Sequence, residues 1–332
     1  MEGLVVFNKP QNYTSRQIVD FLKNREHKKI GHGGSLDPFA DGILILGIDK
    51  ATKQLSIFLK NSIKIYIAGI ILGCISDTYD RDGIIEFTHK EIPDFLYIEK
   101  ILSSYQGEMI QVPPAFSAVK IKGVPAYKLA RKGINFQLKP KKIIIYDLKI
   151  LDFQKYDANS LLFKDFSFYK FLPSNNSSFN IAFLKLELKV SSGTYIRSLA
   201  SDIGKDLKCG AYLESLTRTT IMANNYVFTL EEGLTFDDFK KDFFEVYIRI
   251  YGLVQGVGFR FFTLEKANLF NIKGYVRNLN DGSLEIIAQG SEQSLLKFLS
   301  LVKQGPLLSR VENLEIVFKK PRIIFKKFDI LK

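Results

Sequence analysis

The sequence predicts an α+β protein in which two domains follow one another. The chain has 332 residues, which is long for one compact domain and sufficient for two hydrophobic cores. Apolar runs that indicate strands alternate with stretches of helical spacing. Near residue 240 a charged stretch ends this pattern, and a strand–helix–strand–strand–helix–strand order begins. We therefore expect a first domain over residues 1–243 and a second, ferredoxin-like domain over residues 244–332.

Helical spacing and apolar runs place the elements of the first domain. Thr14 and Ser15 can cap a helix whose apolar residues begin at Ile18. Further helices are expected over residues 52–60, 127–130 and 195–207, and Gly204 marks the expected end of the last one. Buried strands are expected over residues 43–48, 64–73 and 184–190. Residues 153–180 lack a clear period and are expected to form a strand pair with a long loop, or an insertion.

The second domain has a shorter and more regular pattern. The expected strands cover residues 246–252, 272–278, 283–289 and 312–318. Two helices are expected between them, one ending near residue 270 and one over residues 291–303. This order describes a complete domain.

The chain is strongly basic, with a formal net charge of +12 and a pI near 9.4. A basic surface can neutralise phosphate groups and release counterions, which favours a nucleic-acid partner. A lysine-rich composition without any ligand would give the same charge. The charge alone therefore discriminates weakly between these alternatives.

The cysteine and histidine content favours a reducing compartment and no metal. The two cysteines, Cys74 and Cys209, and the three histidines are not spaced along the chain as metal ligands are. The N-terminus lacks the basic and apolar stretches of a signal peptide. The most apolar stretch, residues 65–75, is shorter than the ~20 residues that a membrane-spanning helix needs. We expect a soluble, cytoplasmic protein without a membrane partner.

A glycine-rich loop over residues 31–38 contains one carboxylate, Asp37. Glycines let the backbone approach a ligand closely, and the proline after Asp37 restricts the direction of the chain. An ordinary turn, in which Asp37 bonds its own backbone, would show the same local sequence. A P-loop would need a Gly-Lys-Ser/Thr ending, which is missing. Taken alone, the loop favours the ordinary turn.

The wider sequence changes this interpretation, because blocks of a recognisable series follow one another over residues 1–225. The blocks are Phe7-Asn8-Lys9-Pro10, Thr14-Ser15, Gly31-His32-Gly33-Gly34-Ser35-Leu36-Asp37-Pro38, Lys64-Ile65-Tyr66, Asp77-Thr78-Tyr79-Asp80, Pro113-Pro114-Ala115-Phe116-Ser117-Ala118-Val119-Lys120, Gly193-Thr194-Tyr195-Ile196-Arg197 and Leu216-Thr217-Arg218. In this order they resemble the TruB family of tRNA pseudouridine synthases. The resemblance implies a mixed, mainly antiparallel sheet with flanking helices. It also implies isomerisation of uridine 55 in the T loop of tRNA.

The resemblance assigns the central chemistry to three residues. The reaction breaks the N-glycosidic bond, rotates the base and rejoins it through carbon, so it needs no cofactor. Asp37 is implied as the nucleophile or base; attack on ribose C1′, attack on uracil C6 and removal of a ribose proton remain open. Arg197 is implied to pair with Asp37 and keep it ionised. Tyr66 is implied to stack on the flipped uracil and to move a proton.

Further residues are implied to bind the tRNA substrate. His32 would brace the space that the flipped nucleotide leaves, Asp80 would contact that nucleotide, and Tyr195 and Leu216 would line the pocket. Each also has a plain structural alternative, which for Leu216 is a place in the core. Members of the family usually carry a small RNA-binding domain next, but residues 224–243 are too short for one. Binding of the T arm is therefore expected to rest on the first domain.

A second glycine-rich loop follows a strand and opens a helix near residue 256. Backbone N–H groups at such a place cradle anions. The loop amides are those of Gln255, Gly256, Val257, Gly258 and Phe259. With Arg260 after the loop and Asn278 in the next strand, residues 246–330 resemble acylphosphatase. The resemblance implies hydrolysis of a small acyl phosphate without a metal; Arg260 would hold the phosphate and Asn278 would orient the attacking water.

Alternatives remain for both parts of the chain. The second domain could serve as a spacer or an RNA contact surface, since ferredoxin-like sheets also form RNA-binding modules, although their aromatic stacking signature is absent. Asn271 replaces a common glycine, which Asn tolerates because it adopts left-handed backbone. The whole chain could be a tRNA-binding folding factor, which would need no nucleophile such as Asp37. A phosphate-sensing regulator is supported only by the second loop.

Overall fold

The computed structural model describes residues 1–156, 166–171 and 180–332. The strands, numbered in chain order, are β1 Gly3–Lys9, β2 Ile30–His32, β3 Asp41–Ile48, β4 Ile63–Leu72, β5 Cys74–Ser76, β6 Ile85–Phe87, β7 Gly107–Gln111, β8 Lys120–Ile121, β9 Val124–Pro125, β10 Lys141–Tyr156, β11 Ile181–Ser191, β12 Ala211–Ala223, β13 Tyr226–Thr229, β14 Phe244–Leu253, β15 Lys273–Asn278, β16 Leu284–Gly290, β17 Arg310–Lys319 and β18 Phe328–Ile330. The helices are α1 Ser15–Glu26, α2 Leu55–Lys60, α3 Phe95–Ser103, α4 Ala126–Ala130, α5 Ile196–Asp206, α6 Phe236–Lys241, α7 Phe259–Leu269 and α8 Glu292–Gln304.

Two compact units interleave along the chain. The first contains residues 1–38, 42–59 and 227–332, and the second contains residues 39–41 and 60–226. The predicted domain boundary between residues 243 and 244 follows the order of the chain, whereas the first unit takes in residues from both sides of it. The amino-terminal segment therefore folds together with the carboxy-terminal one.

Strand β1 joins these two segments in the sheet of the first unit. The strand order is β18-β15-β16-β14-β17-β1-β3, and β2 lies beside β3. β1 pairs antiparallel with β3, with Val5 opposite Leu46, and parallel with β17, with Leu4 opposite Val317. Both edges of β1 are thus covered by neighbouring strands, which leaves it no open edge for pairing with another chain.

The carboxy-terminal segment has the predicted order of elements. Helix α7 connects β14 to β15, and α8 connects β16 to β17. Strands β15, β16, β14 and β17 pair antiparallel in that order, which confirms the ferredoxin-like fold. Asn271, between α7 and β15, has φ 56°, so the expected left-handed backbone is confirmed. The sequence patterns did not indicate the short strand β18.

Helix α1 shows how local sequence and core packing agree in the first unit. Thr14 forms a capping box with Gln17, which confirms the predicted start of the helix. Ile18, Val19 and Leu22 are buried on one face of α1. They belong to one hydrophobic cluster that also contains residues of β1, β3, β14, β17 and both helices of the ferredoxin-like segment. One core therefore stabilises the amino-terminal and carboxy-terminal parts of this unit.

The second unit has a sheet of the order β12-β4-β11-β10-β7, in which every pair is antiparallel. Buried and partly exposed residues alternate along β11, as in a strand with one face on a core. The apolar run that predicts β4 forms an inner strand of this sheet, between β12 and β11. The expected mixed, mainly antiparallel architecture is confirmed.

Two expected features differ in the structure, and one expected region lies partly outside the described residues. Gly204 lies within α5 rather than at its end. A Cβ at this position would stand 2.2 Å from the Ala211 nitrogen, so only glycine permits the close approach of α5 to β12. The predicted helix from Thr52 is instead a 3-10 turn, Asp49–Lys53, followed by α2. Of residues 153–180, positions 157–165 and 172–179 lie outside the described residues.

None of the described helices is both long enough and apolar enough to cross a bilayer. Histidine, cysteine, aspartate and glutamate side chains of the described residues form no group of three or more that could hold a metal ion.

Candidate active sites

The backbone on both sides of Asp37 is held by hydrogen bonds within the first unit. Before it, the Leu36 N–H donates to Ser15 Oγ at 2.9 Å, and the Leu36 carbonyl accepts from the same hydroxyl at 3.2 Å. After it, the Pro38 carbonyl accepts from the Asn12 N–H at 2.8 Å. Ser15 is only 5% exposed, so water competes little for its bonds. The loop is therefore fixed by groups distant in sequence.

Lys9, at the end of β1, binds the same loop. Its buried Nζ donates to the carbonyls of Pro10 at 2.9 Å, Tyr13 at 2.7 Å and Pro38 at 3.3 Å. A buried ammonium group is costly unless its donors are bonded, and Lys has three N–H donors. The three carbonyls therefore explain how a lysine can be buried here, and they connect β1 to the Asp37 loop.

His32 lies at the end of β2, five residues before Asp37. It stands opposite Leu46 of β3, and its Nδ1 accepts from the Gly34 N–H at 3.4 Å. The imidazole is half-buried. The structure thus places His32 and Asp37 in one braced segment, and the contact of His32 with a nucleotide stays a prediction.

Asp80 and Arg197 form a buried ion pair within the second unit. Arg197 Nη1 lies 3.1 Å from Asp80 Oδ2, and the two side chains are 7% and 6% exposed. Arg197 Nη2 also donates to the Phe116 carbonyl at 2.9 Å. Burial raises the pKa of Asp80, while the Arg197 charge and the Thr78 hydroxyl lower it in part. The structure brings these two predicted residues together, and the pairing of Arg197 with Asp37 stays a prediction.

Hydrogen bonds from residues on both sides of Asp80 orient its carboxylate. Thr78 Oγ1 donates to Asp80 Oδ1 at 2.6 Å, and the Asp82 N–H donates to the same oxygen at 3.0 Å. Tyr79 has φ 64°, a left-handed conformation that is uncommon for a bulky residue. The strained Tyr79 backbone and the two donors leave Asp80 Oδ2 for Arg197.

Tyr66 and Leu216 lie on adjoining strands of the second unit. Tyr66 of β4 stands opposite Arg218 of β12, and Ala68 stands opposite Leu216. Residues two apart on a strand share a face, so Tyr66, Leu216 and Arg218 lie on one face of the sheet. Tyr66 and Leu216 are 6% and 5% exposed. The structure brings them together, and their contact with uracil stays a prediction.

Lys64 is a buried lysine that was named above only as part of the Lys64-Ile65-Tyr66 block and was given no role. It lies two residues before Tyr66 on the same face of β4 and is 6% exposed. Burial and, to a lesser extent, the charge of Arg218 lower the pKa of Lys64 to about 7. A lysine within an otherwise apolar strand was the available signal. Tyr195, the last of the predicted residues here, directly precedes α5, whose first turn contains Arg197.

The second glycine-rich loop connects β14 to α7 in the first unit. Gly256 and Gly258 have φ values of 74° and 78°, which a residue with a Cβ rarely adopts. Both glycines are exposed. No side chain of the described chain caps α7, whose N-cap is Gly258. The loop therefore presents backbone N–H groups next to a helix N-terminus, an arrangement that suits an anion.

Gln255 ties this loop to the segment that carries Asn278. Its Nε2 donates to the Leu279 carbonyl at 3.0 Å and to the Ser283 carbonyl at 2.9 Å. Asn278 is the last residue of β15 and is half-buried. Arg260, in the first turn of α7, donates from Nη1 to the Leu331 carbonyl at 3.4 Å. The structure thus brings the loop next to the turn that follows Asn278.

The fold and the two loops define a chain that combines an α+β part bearing a carboxylate in a glycine-rich loop with a ferredoxin-like part bearing a second glycine-rich loop at a helix N-terminus. Comparison with known families agrees with both parts. The family model described as TruB family pseudouridylate synthase (N terminal domain) matches residues 22–196, more than half of the chain. The chain belongs to the TruB family of pseudouridylate synthases. The acylphosphatase family model matches residues 246–330, which are the carboxy-terminal, ferredoxin-like part of the chain.

Three individual proteins illustrate what the chain is similar to. The chain is 37% identical to a tRNA pseudouridine synthase B of Francisella philomiragia over 260 residues, or 77% of this chain and 76% of the relative. It is 40% identical to a tRNA pseudouridine synthase B of Clostridium acetobutylicum over 221 residues, or 66% of this chain and 67% of the relative. The crystal structure of acylphosphatase from Bacillus subtilis is 34% identical, with 27% of this chain and 99% of that protein covered and a TM-score of 0.27.

Proposed function

We propose that this protein isomerises uridine 55 in the T loop of tRNA and that Asp37 is the catalytic nucleophile or base. The observation that carries the proposal is the position of Asp37 in a loop whose backbone is bonded on both sides. A fixed carboxylate can meet a reacting nucleotide without ordering itself first, which lowers the entropic part of the barrier. Membership of the TruB family supports the reaction. We assign this activity to residues 1–243.

The other predicted residues have roles that their surroundings support. Tyr66 lies on one face of the sheet and is 6% exposed, and its aromatic ring is the kind of group on which a flipped uracil would stack. Arg197 supplies a buried positive charge, and Asp80 orients it. His32, Tyr195 and Leu216 would bind the nucleotide and its neighbours. The chemistry needs no metal or cofactor, because the detached base is itself the acceptor.

A basic segment in the second unit supports the tRNA partner. Residues 120–142 contain eight lysine or arginine side chains and no acidic one, and all eight are exposed. They are Lys120, Lys122, Lys128, Arg131, Lys132, Lys139, Lys141 and Lys142. Such a cluster can contact the phosphates of the T arm and gives binding that weakens with salt.

Pseudouridine formation in an unmodified tRNA transcript tests the role of Asp37. The wild type is expected to form one pseudouridine per transcript, and Asp37→Asn is expected to form none while still binding the tRNA. Asp20→Asn, which alters an exposed carboxylate on α1, is the matched control and should retain the wild-type rate. Equal rates for Asp37→Asn and Asp20→Asn would refute the assignment.

A second function is favoured by the loop over residues 254–258. We propose that residues 244–332 hydrolyse small acyl phosphates, with the phosphate held by Arg260 and by the amides of residues 255–259. The exposed left-handed glycines and the uncapped start of α7 carry this proposal. Asn278 would orient the attacking water. The anhydride is already activated, so the reaction needs no metal.

Hydrolysis of benzoyl phosphate tests the second function. Arg260→Ala is expected to reduce the rate to the uncatalysed background. Arg310→Ala, which removes an exposed arginine of the same unit, should leave it unchanged. If the wild type itself hydrolyses at the background rate, the domain has a structural role or an RNA-contact role instead.

A further inference from the structure

The side chain of Gln111 holds the backbone of Tyr195 by two hydrogen bonds. Gln111 Oε1 accepts from the Tyr195 N–H at 2.8 Å, and Nε2 donates to the Tyr195 carbonyl at 3.0 Å. Both residues belong to the second unit, 84 positions apart. Gln111 ends β7 and is 1% exposed, so water does not replace these bonds.

The start of α5 depends on such outside partners. Tyr195 is the N-cap residue, but its side chain forms no capping hydrogen bond. Helix starts leave backbone N–H groups without partners inside the helix. Gln111 satisfies the N–H of the N-cap residue itself, and the segment after Gln111 contributes further bonds. Ser198 Oγ donates to the Val112 carbonyl at 2.9 Å, and Arg197 Nη2 donates to the Phe116 carbonyl.

We propose that Gln111 is a positioning residue that fixes Tyr195 and, through the first turn of α5, Arg197 for the isomerisation. The proposal rests on the proposed function of these two residues. Gln111 would act through Tyr195 and Arg197 and would not touch the reacting nucleotide. The matching arrangement of Ser15 around Leu36 in the first unit shows the same device, a buried polar side chain that bonds both backbone groups of one residue close before a candidate catalytic residue.

The chemistry of the contact requires a side-chain amide of this length. Gln offers one donor and one acceptor at its end, matching the carbonyl and the N–H of Tyr195. Met has a similar length but can neither donate nor accept in this way, so Gln111→Met removes both bonds to Tyr195. The Tyr195 carbonyl still accepts from the Leu199 N–H at 3.1 Å, so the loss falls mainly on the Gln111 bond to the Tyr195 N–H. Asn is one methylene shorter and cannot reach from the same backbone position.

The test compares Gln111→Met and Gln111→Asn with Gln106→Met in the full-length protein. Gln106 is an exposed glutamine just before β7, so its substitution is a matched control. Single-turnover pseudouridine formation is measured per folded molecule with an unmodified tRNA transcript, together with the dissociation constant of that transcript. Wild type and Asp37→Asn are assayed beside them.

We expect both Gln111 variants to lose about tenfold to a hundredfold in the single-turnover rate, the range that a misplacement of about 1 Å can cause. The dissociation constant should change by less than about threefold, since most affinity comes from phosphate contacts. A wild-type rate per folded molecule in both variants would overturn the proposal, even if they unfold more easily. No product from the wild type would instead contradict the proposed function together with the role of Gln111.

Discussion

The two compact units hold their candidate catalytic residues by different means. In the first unit, the Ser15 hydroxyl and a backbone amide brace the loop around Asp37, and Lys9 donates to three carbonyls of the same region. In the second unit, buried charges lie beside one another, as in the Asp80–Arg197 pair and the Lys64–Arg218 neighbours. The hydrogen bonds of the Ser15 hydroxyl do not depend on protonation, whereas the buried charges of the second unit make its stability depend on pH.

The largest effect is expected from Arg197→Met, which removes one partner of the buried ion pair. Asp80 would remain buried without its cation, and such a change typically costs about 3–5 kcal/mol in the free energy of unfolding. Urea denaturation followed by circular dichroism measures this loss. Arg16→Met breaks an exposed ion pair on α1 and should cost less than about 1 kcal/mol. If both variants lose a similarly small free energy of unfolding, the buried Asp80–Arg197 pair does not stabilise the second unit more than an exposed ion pair stabilises the first.

The next largest effect is expected from Lys64→Met, which removes the contribution of Lys64 to the pH dependence of the free energy of unfolding. The pKa of Lys64 is about 7 in the folded protein and higher in the unfolded chain, so between these values the unfolded chain binds the proton more readily. The free energy of unfolding is therefore highest at high pH and decreases as the pH falls toward 7. The free energy of unfolding should therefore rise by roughly 3–4 kcal/mol more in the wild type than in Lys64→Met between pH 7 and pH 10.

Parallel urea titrations of wild type, Lys64→Met and Lys60→Met at several pH values check this expectation. Lys60 is exposed, so its variant should follow the wild type. Identical pH profiles for wild type and Lys64→Met would show that Lys64 keeps an ordinary pKa, and the contrast between the units would weaken.

The smallest effect is expected from Ser15→Ala in the first unit. Loss of one neutral hydroxyl removes two bonds to Leu36 and leaves a buried N–H without its partner, at a cost of about 1–3 kcal/mol. We expect pseudouridine formation to slow about tenfold, because the loop before Asp37 loosens. The slowing should be the same from pH 6 to pH 9, since a hydroxyl does not titrate there.

Ser56→Ala is the control for this measurement, because Ser56 is an exposed helical serine that bonds only locally to the Lys53 carbonyl. A Ser15→Ala defect that changes strongly with pH would contradict the idea that Ser15 positions the Asp37 loop through neutral hydrogen bonds.

The fold was largely predictable because its signals are local. The capping residue Thr14, the apolar run of β4 and the order of elements after residue 244 each indicate structure within a short window. The interleaving of the units was not predictable, because the pairing of β1 with β17 joins residues more than three hundred positions apart. Gly204 was misassigned because its close approach to β12 is a tertiary contact.

The residues of the candidate sites could be predicted only where they lie within a recognisable sequence motif. Asp37, Arg197 and the loop before Arg260 lie within recognisable blocks. Ser15 lies in such a block as well, but its partner Leu36 is 21 positions away, and Gln111 is 84 positions from Tyr195. Nothing in a single sequence links such pairs. Positioning residues of this kind therefore emerge from the structure.

The central claim is that Asp37 acts on one uridine of the T loop. Its most direct test maps pseudouridine by chemical labelling and primer extension in two tRNA transcripts, one natural in sequence and one with cytidine in place of uridine 55. The account predicts a single product at position 55 of the first transcript with wild type, none with Asp37→Asn, and none in the second transcript with either protein. Product at another position, or product formed by Asp37→Asn, would contradict it.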